Sequence, residues 1–530
     1  MVYFIAFLGA YNQNQGLIGS YGLQPAAASF SAITDRYATP WEGFAEHPSI
    51  FWWIELSDGT LEAVYLSGLT LSCLVILGQD SMMIMLLLWL LYFSVITIAS
   101  ATSFYSYGWE TQLLETGVLA ALLCYVFPQF GQVTTKERPP SPITLWLFRW
   151  LSFRISLGAG LIKIRGDSCW TQKTCLYYHF ETQPIPSPMS FVFHFLPKWA
   201  LKHAVDLDLF VQVYTSWMVL CPTHVPGSTI LSKVFLWTVR TGGLIQTGFM
   251  VNILLSGNFA FLNHLTIIPA LACIDDACWP RWVHKLAYSG TASRPLPRSF
   301  EWKWNPRVLI DLCFLALIGS LSWPVLENLL QLNGKRQQMN ASFDKFRLVN
   351  SYGAFGSVGQ GRYEPILSIT YDGKEWIELD FPCKPGTVTR RPCFCAPYHY
   401  RLDWNIWFIG FKPHARMLEG REQWLYGLIA KLLDTTTAEG QRPWLNLLDS
   451  TSSAPMLREN YEANLLTPLY AKVEMHHYRM AAPLWDILPE YLWGDSEVIW
   501  WNRSFEEVLI PPVQFDIQQQ RLALATLPLQ

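Results

Sequence analysis

Charge is what this sequence has least of. Aspartate, glutamate, lysine and arginine together make 15% of its 530 residues, against roughly 25% in soluble domains. The net charge is −3, and no basic tract, RNA-binding signature or zinc-finger spacing occurs. Nucleic acid is therefore excluded as a partner. There is no His-Glu-x-x-His helix, no nucleophile elbow and no phosphate-binding glycine loop. Internal repeats and low-complexity tracts are missing. No basic segment precedes the first apolar run, so no secretory signal is visible. No catalytic residue, metal site or cofactor is expected, and the chain reads as a non-enzyme.

Apolar and aromatic residues are what it has instead. Hydrophobic residues make up 51% and tryptophan alone numbers 25. Indole rings favour the membrane–water boundary. A span needs about 20 residues, and the runs at 61–78, 82–105, 112–127, 144–164, 207–221, 230–255 and 308–326 approach that length. The run 259–274 either crosses or re-enters. Residues 1–10 are too short unless the helix continues through Tyr11 and Gln13. The expected fold is a polytopic α-helical membrane bundle over residues 1–330, interrupted by a loop at 165–206. A soluble α+β domain with a β-sandwich-like sheet follows at 343–510, and a tail at 511–530. In that domain 363–371 and 374–381 alternate apolar and polar residues around Asp372-Gly373, the signature of a tight hairpin. Trp424, Leu428 and Leu432 mark a helix over 419–434, and another strand is expected at 469–480.

The few charges orient the bundle, because cytoplasmic loops carry excess lysine and arginine. Residues 275–307 hold Arg281, Lys285, Arg294, Arg298, Lys303 and Arg307; residues 128–143 hold Lys136 and Arg138. If 1–10 and 259–274 both cross, these loops share one side. The acidic 12–60 loop, the 165–206 loop and the C-terminal region then share the other, lumen-like side. Charges inside spans cost on the order of 2.5–3.5 kcal/mol each, so Glu115 is expected to pair with Arg149, Arg154 or Arg240. An ion pair is preferred to a proton path, since no acidic relay accompanies it.

Cys73, Cys124, Cys221, Cys273 and Cys313 lie in or beside apolar runs and read as small buried hydrophobes. Cys169, Cys175, Cys383, Cys393 and Cys395 lie in polar loops, where an oxidising compartment pairs some of them. The expected bridge joins Cys169 to Cys175. Zinc spacing is not met. Asn340-Ala-Ser342 and Asn502-Arg-Ser504 are glycosylation triplets on the same side. His476 and His477 are adjacent on a strand and point to opposite faces. The glycines at 353 and 356 read as turn formers rather than as part of a kinase loop, whose first glycine is replaced by Ser351.

Residues 154–197 contain GAGLIKIRGDSCW, then TC, YYHFETQPIPSP and FHFLP. Residues 2–8, 16–19 and 22–25 form a second distinctive block, and LVNSYGAFG at 348–356 with Tyr398, Arg401, Asp403, Trp404 and Trp407 a third. Together these resemble the lipase maturation factor family over roughly residues 1–510. The resemblance implies an endoplasmic-reticulum membrane protein that helps lipases reach folded, dimeric form by non-covalent client binding. It implies a client-binding C-terminal domain, shaped here by Arg401, Asp403, Trp404 and Trp407. The aromatic set Trp170, Tyr177, Tyr178 and Phe180, with Trp404 and Trp407, reads either as an exposed client surface or as packing between bundle and domain.

Two other readings stand beside it. The chain starts inside the first span and ends without a retrieval signal, as a structural accessory subunit of a mitochondrial inner-membrane assembly would. GAGLIK also distantly resembles membrane enzymes related to vitamin K-dependent carboxylase, in which Lys163 would be the base. Arg165 and Asp167 so close by favour a snorkelling lysine. The expected partners are membrane lipids with either client lipases or partner membrane subunits.

Overall fold

A computed structural model describes residues 1–126, 140–280, 282–283, 306–332, 334–411, 422–434, 442–462, 467–493, 497–519 and 521–525. The first apolar run does not stop at residue 10. It continues as helix α1 (Val2–Ile18). Then come α2 (Asp58–Ile76), α3 (Met82–Ile98), α4 (Gly108–Ala121) and α5 (Pro142–Arg165). The Ser57 side chain accepts from Thr60 N at 3.3 Å and so caps α2, satisfying a donor that a helix start leaves orphaned.

The stretch 165–206 is not an irregular loop. It is folded into short helices, Ser168–Thr171, Leu176–Thr182 and Pro188–His194, before α6 (Lys198–Leu209). Pro188 opens a helix rather than breaking one, because the first turn needs no N–H. A π turn (Phe210–Thr215) continues α6, and α7 (Thr229–Ser256), α8 (Leu262–Leu271) and α9 (Pro306–Leu330) follow.

Among the described residues, three helices are long and apolar enough to cross a membrane: Asp58–Ile76, Pro142–Arg165 and Val308–Leu330. They differ in surroundings. The apolar window of α5 is 78% buried by protein, whereas those of α2 and α9 are 28% and 22% buried. So α5 is the hub and the other two face outward. Cys73 and Cys313, on these outward helices, are exposed rather than buried, while Cys124 and Cys273 are buried. α8 has ten residues, a rise of about 15 Å, which is half of what a crossing needs. The residues on which the charge argument rested (Lys136, Arg138, Arg281, Lys285, Arg294, Arg298, Lys303 and the Arg307 side chain) lie outside the described residues.

The C-terminal half holds one five-stranded antiparallel sheet in the order β2-β1-β3-β4-β5, with β1 (Arg362–Thr370), β2 (Ile377–Glu378), β3 (Tyr470–Met480), β4 (Trp501–Asp516) and β5 (Arg521–Leu524). A second sheet, as a sandwich needs, is not found among the described residues. Helices α10 (Arg401–Ile409) and α11 (Gln423–Leu433) pack there instead. The hairpin is present but its turn is not tight: residues 370–376 separate the paired Ile369 and Ile377, with Gly373 among them at φ 75°. Its second strand is only two residues long, because the Asp372 carboxylate takes the N–H groups of Lys374 and Glu375 at 2.8 and 2.9 Å and holds them out of the ladder. β4 runs through residue 510 to Asp516.

One apolar core serves both halves. It runs from Tyr3 and Phe7 through Tyr92 and Trp404 to Trp424, Val473 and Met475. β3 changes its buried face along its length. Ala471, Val473 and Met475 enter this shared core, while Tyr478 and Met480 join Phe191, Trp500 and Trp501 in another. Register shifts between β3 and β4 allow that change.

Candidate functional site

The polar residues of the bundle converge where helices meet the C-terminal half. Glu110, in the first turn of α4, is wholly buried. Its carboxylate pairs with the Arg401 guanidinium at 2.6 Å and accepts a bond from the Tyr92 hydroxyl. Arg401 also donates to the Phe104 carbonyl at 2.8 Å, and its guanidinium lies 3.7 Å from the Tyr105 ring centre. Gln13 completes the contact, donating to His399 O at 2.7 Å and accepting from Arg401 N at 2.9 Å. Arg401 stands at the start of α10, so this pair fastens the C-terminal half to α1, α3 and α4.

A second latch lies deeper. Glu115 pairs with Arg154 of α5, both buried. One Glu115 oxygen accepts from Asn350 N (3.1 Å), Asn350 Nδ2 (2.9 Å) and the Tyr352 hydroxyl (2.7 Å), and Arg154 donates to Asn350 O at 2.7 Å. The strap 348–356 thus threads against the middle of α5. Two glycines of GAGLIKIRG make room for it. A Cβ at Gly158 would fall 2.4 Å from Tyr352 O, and one at Gly166 2.1 Å from Gly356 O. Arg149 and Arg240 do not share this site. Arg149 caps the carbonyls of Val219 and Cys221, and Arg240 pairs with Asp275.

The 165–206 segment is clamped on the same side. Cys169 and Cys175 are bridged. Trp170 is buried and donates to Phe355 O at 2.8 Å. Lys163 does not snorkel. It is buried, holds both Asp208 oxygens at 2.7 Å, and sits 4.5 Å from the centre of the Trp170 ring. Arg362 of β1, itself buried, donates to the carbonyls of Glu181, Gln183 and Pro184 and pairs with Glu364, which Lys384 meets at 3.2 Å. Glu181 in turn accepts from Met480 N at 2.7 Å. Trp407 donates to Thr182 O at 2.8 Å. His179 is enclosed by the rings of Phe180, Phe259 and Phe355. Burial, with the Lys163 charge behind it, pushes its pKa down to about 3.

Of the expected aromatic set, Trp170, Phe180 and Trp404 are buried, while Tyr177, Tyr178 and Trp407 are partly buried. Trp404 stacks edge-on with Trp109, 4.9 Å between centres. Asp403 accepts from Cys383 N and Lys384 N at 2.7 and 2.8 Å, and burial raises its pKa to about 6. It thereby pins the loop closed by the Cys383–Cys393 bridge. Asn258 holds that loop from the bundle side, donating to Cys393 O and accepting from Cys395 N and Ala396 N. Cys395 sits beside the bridge, its sulfur within 4.8 Å of both others, with its thiol pKa raised by burial. Two of these three sulfurs are bonded to each other, so they do not form a thiolate metal set. Asn340 and Asn502 are exposed.

Several of these partners escaped sequence reasoning. Glu110 lies just ahead of the run taken as a span, and its arginine is 291 positions away. Asn350, Tyr352 and Asn258 are uncharged. Arg362 and Glu364 sit two apart on a strand, which reads as an exposed charged face.

Comparison with known proteins agrees with this layout. The lipase maturation factor transmembrane domain matches residues 1–281, and the lipase maturation factor C-terminal domain matches residues 348–511. Lipase maturation factor 1 of Bos taurus is 37% identical over 459 residues, covering 82% of this chain and 76% of the relative. The Homo sapiens lipase maturation factor 1 is 34% identical over 97% of this chain and 86% of its own length. Lipase maturation factor 2 of Mus musculus is 25% identical over 97% of this chain and 81% of its own length. No solved structure matches the chain.

Proposed function

The chain belongs to the lipase maturation factor family, and from that premise we propose a membrane-held folding factor that binds lipases and forms no bond with them. The observation that carries this reading is the double latch, Glu110 with Arg401 and Glu115 with Arg154 and Asn350. Two buried ion pairs and one shared core make the bundle and the sheet a single body. Such a body presents a preformed surface to a client, at lower entropy cost than a loose domain would. A polytopic bundle at 1–330 anchors it, and a lumenal module starting near 343 faces the client in the endoplasmic reticulum. Arg401, Asp403, Trp404 and Trp170 frame that surface from beneath.

Catalysis is not needed for this role. Lys163, the one residue with a case for base chemistry, has its charge held by Asp208 and by the Trp170 face. The relatives support neither a respiratory accessory subunit nor a carboxylase. The test is complementation. Cells lacking their own lipase maturation factor receive this chain together with a dimeric lipase, and secreted lipase activity is measured. Restored activity, with glycan added at Asn502, supports the reading. Normal expression in the membrane without restored activity overturns it.

A further inference from the structure

The buried fate of the expected aromatic surface leaves a different set of rings outside. Trp41 is 71% exposed and Trp53 48% exposed. Their rings lie 4.8 Å apart, with Phe44 5.2 Å from Trp53 and Phe346 6.4 Å from Phe44. Two segments about 300 positions apart thus build one apolar patch.

The rings are held out by a packed scaffold. Thr39 caps the Pro40–Glu46 helix, accepting from Glu42 N at 3.3 Å. Gly43 gives way to the Trp52 ring, which a Cβ would meet at 2.0 Å. Trp52 donates to His47 O at 2.8 Å. Across the patch Lys345 pairs with Glu46, and Asp344 accepts from Leu348 N and Val349 N at 3.0 Å.

Its depth is fixed by the helices. Ile50 N donates to the Ser94 hydroxyl at 2.9 Å, and Thr97 donates to Pro48 O at 2.7 Å. Ser94 is one turn from the end of α3 at Ile98, about 6 Å along the axis. Trp53 comes five positions before α2 begins at Asp58. The patch is therefore level with the ends of both helices and continuous with α2, whose face is mostly uncovered. Indoles at that depth prefer the headgroup boundary, where the ring body leaves water and the N–H stays hydrated.

We propose that Trp41, Phe44, Trp53 and Phe346 form an interfacial foot seated at the headgroup–acyl boundary of the bilayer. Phe346 is four positions from Asn350, which Glu115 grips. The foot is therefore joined to the deep latch through the residues that lead into the strap, and the lipid surface sets the height of the sheet above the membrane. This inference rests on α2 being a span, as proposed above.

The test places a benzophenone amino acid at Trp41, at Phe44 or at Phe346 of the full chain in native membranes, with Asn502 as the distant control. After illumination, intact mass is measured. Phospholipid adducts are expected at 41, 44 and 346 and not at 502. Protein adducts at the patch in place of lipid, or no lipid adduct in variants that keep the wild-type trypsin pattern, overturn the proposal. Alkaline carbonate extraction is run in parallel. A chain released by carbonate would sink the membrane reading itself, whatever the probes report.

Discussion

At the scale of single residues, Arg401 is where sequence and structure part most usefully. The family motif drew attention to it, yet its role is invisible without Glu110. Both side chains are at most 1% exposed. Removing one partner leaves an uncompensated buried charge, which costs on the order of 3–5 kcal/mol. Arg401→Ala is thus expected to lower the unfolding temperature in detergent far more than the paired Arg401→Met, Glu110→Leu replacement, as differential scanning fluorimetry can measure. Glu115 was legible because a carboxylate inside an apolar run stands out, and of its three suggested partners only Arg154 meets it. His179 gives a pH signature. Folding favours its neutral form, since the pKa falls from an ordinary 6.5 to about 3. Its stabilising neutrality is complete above pH 6.5 and lost progressively as pH falls toward 3. His179→Gln should flatten the acid limb of a melting-temperature profile across that window; an unchanged slope would mean that another group sets it. Asp403 works the other way. Its pKa rises from an ordinary 3.8 to about 6, so folding takes up a proton between those values, and acidification across that window stabilises the fold and offsets part of the His179 loss.

At the scale of elements, the strap 348–356 and the helix α5 depend on each other. GAGLIKIRG was readable as a family block, but the reason for its glycines was not, because the chain that fills the space lies nearly 200 positions away. Gly158→Ala puts a methyl group 2.4 Å from Tyr352 O. The strap must then shift off Glu115, and cleavage within 340–356 in limited proteolysis should rise at least several-fold. Glu115→Gln keeps only one acceptor oxygen and leaves Arg154 an unpaired buried charge, so cleavage there should rise as well. Where the sequence was misleading, a local competitor had intervened. β2 shrank because Asp372 captured its first N–H groups. β4 went unseen because bulges break its period-2 pattern and Pro511-Pro512 interrupts it. Helix α11, with its apolar face at regular helical spacing and no such competitor, was found within a few residues of its true bounds.

At the scale of the whole molecule, the question is which parts share a side of the membrane. Lysines and arginines at 128–143 and 275–307 assign the 165–206 segment and the C-terminal half to one side, and those basic side chains lie outside the described residues. Contacts reach the same pairing by an independent route. Arg362 of β1 grips three carbonyls at 181–184, Met480 N reaches Glu181, and Trp170 reaches Phe355 O. A bilayer about 30 Å thick cannot lie between groups 3 Å apart. An epitope inserted at the exposed turn beside Gln172 and a second one after residue 525 should therefore respond alike to protease. In sealed microsomes both should be protected, and both should be lost once detergent opens the vesicles. Digestion of one epitope while the other survives intact vesicles would separate the 165–206 segment from the sheet. The clamp, the double latch and the single rigid body would fail with it.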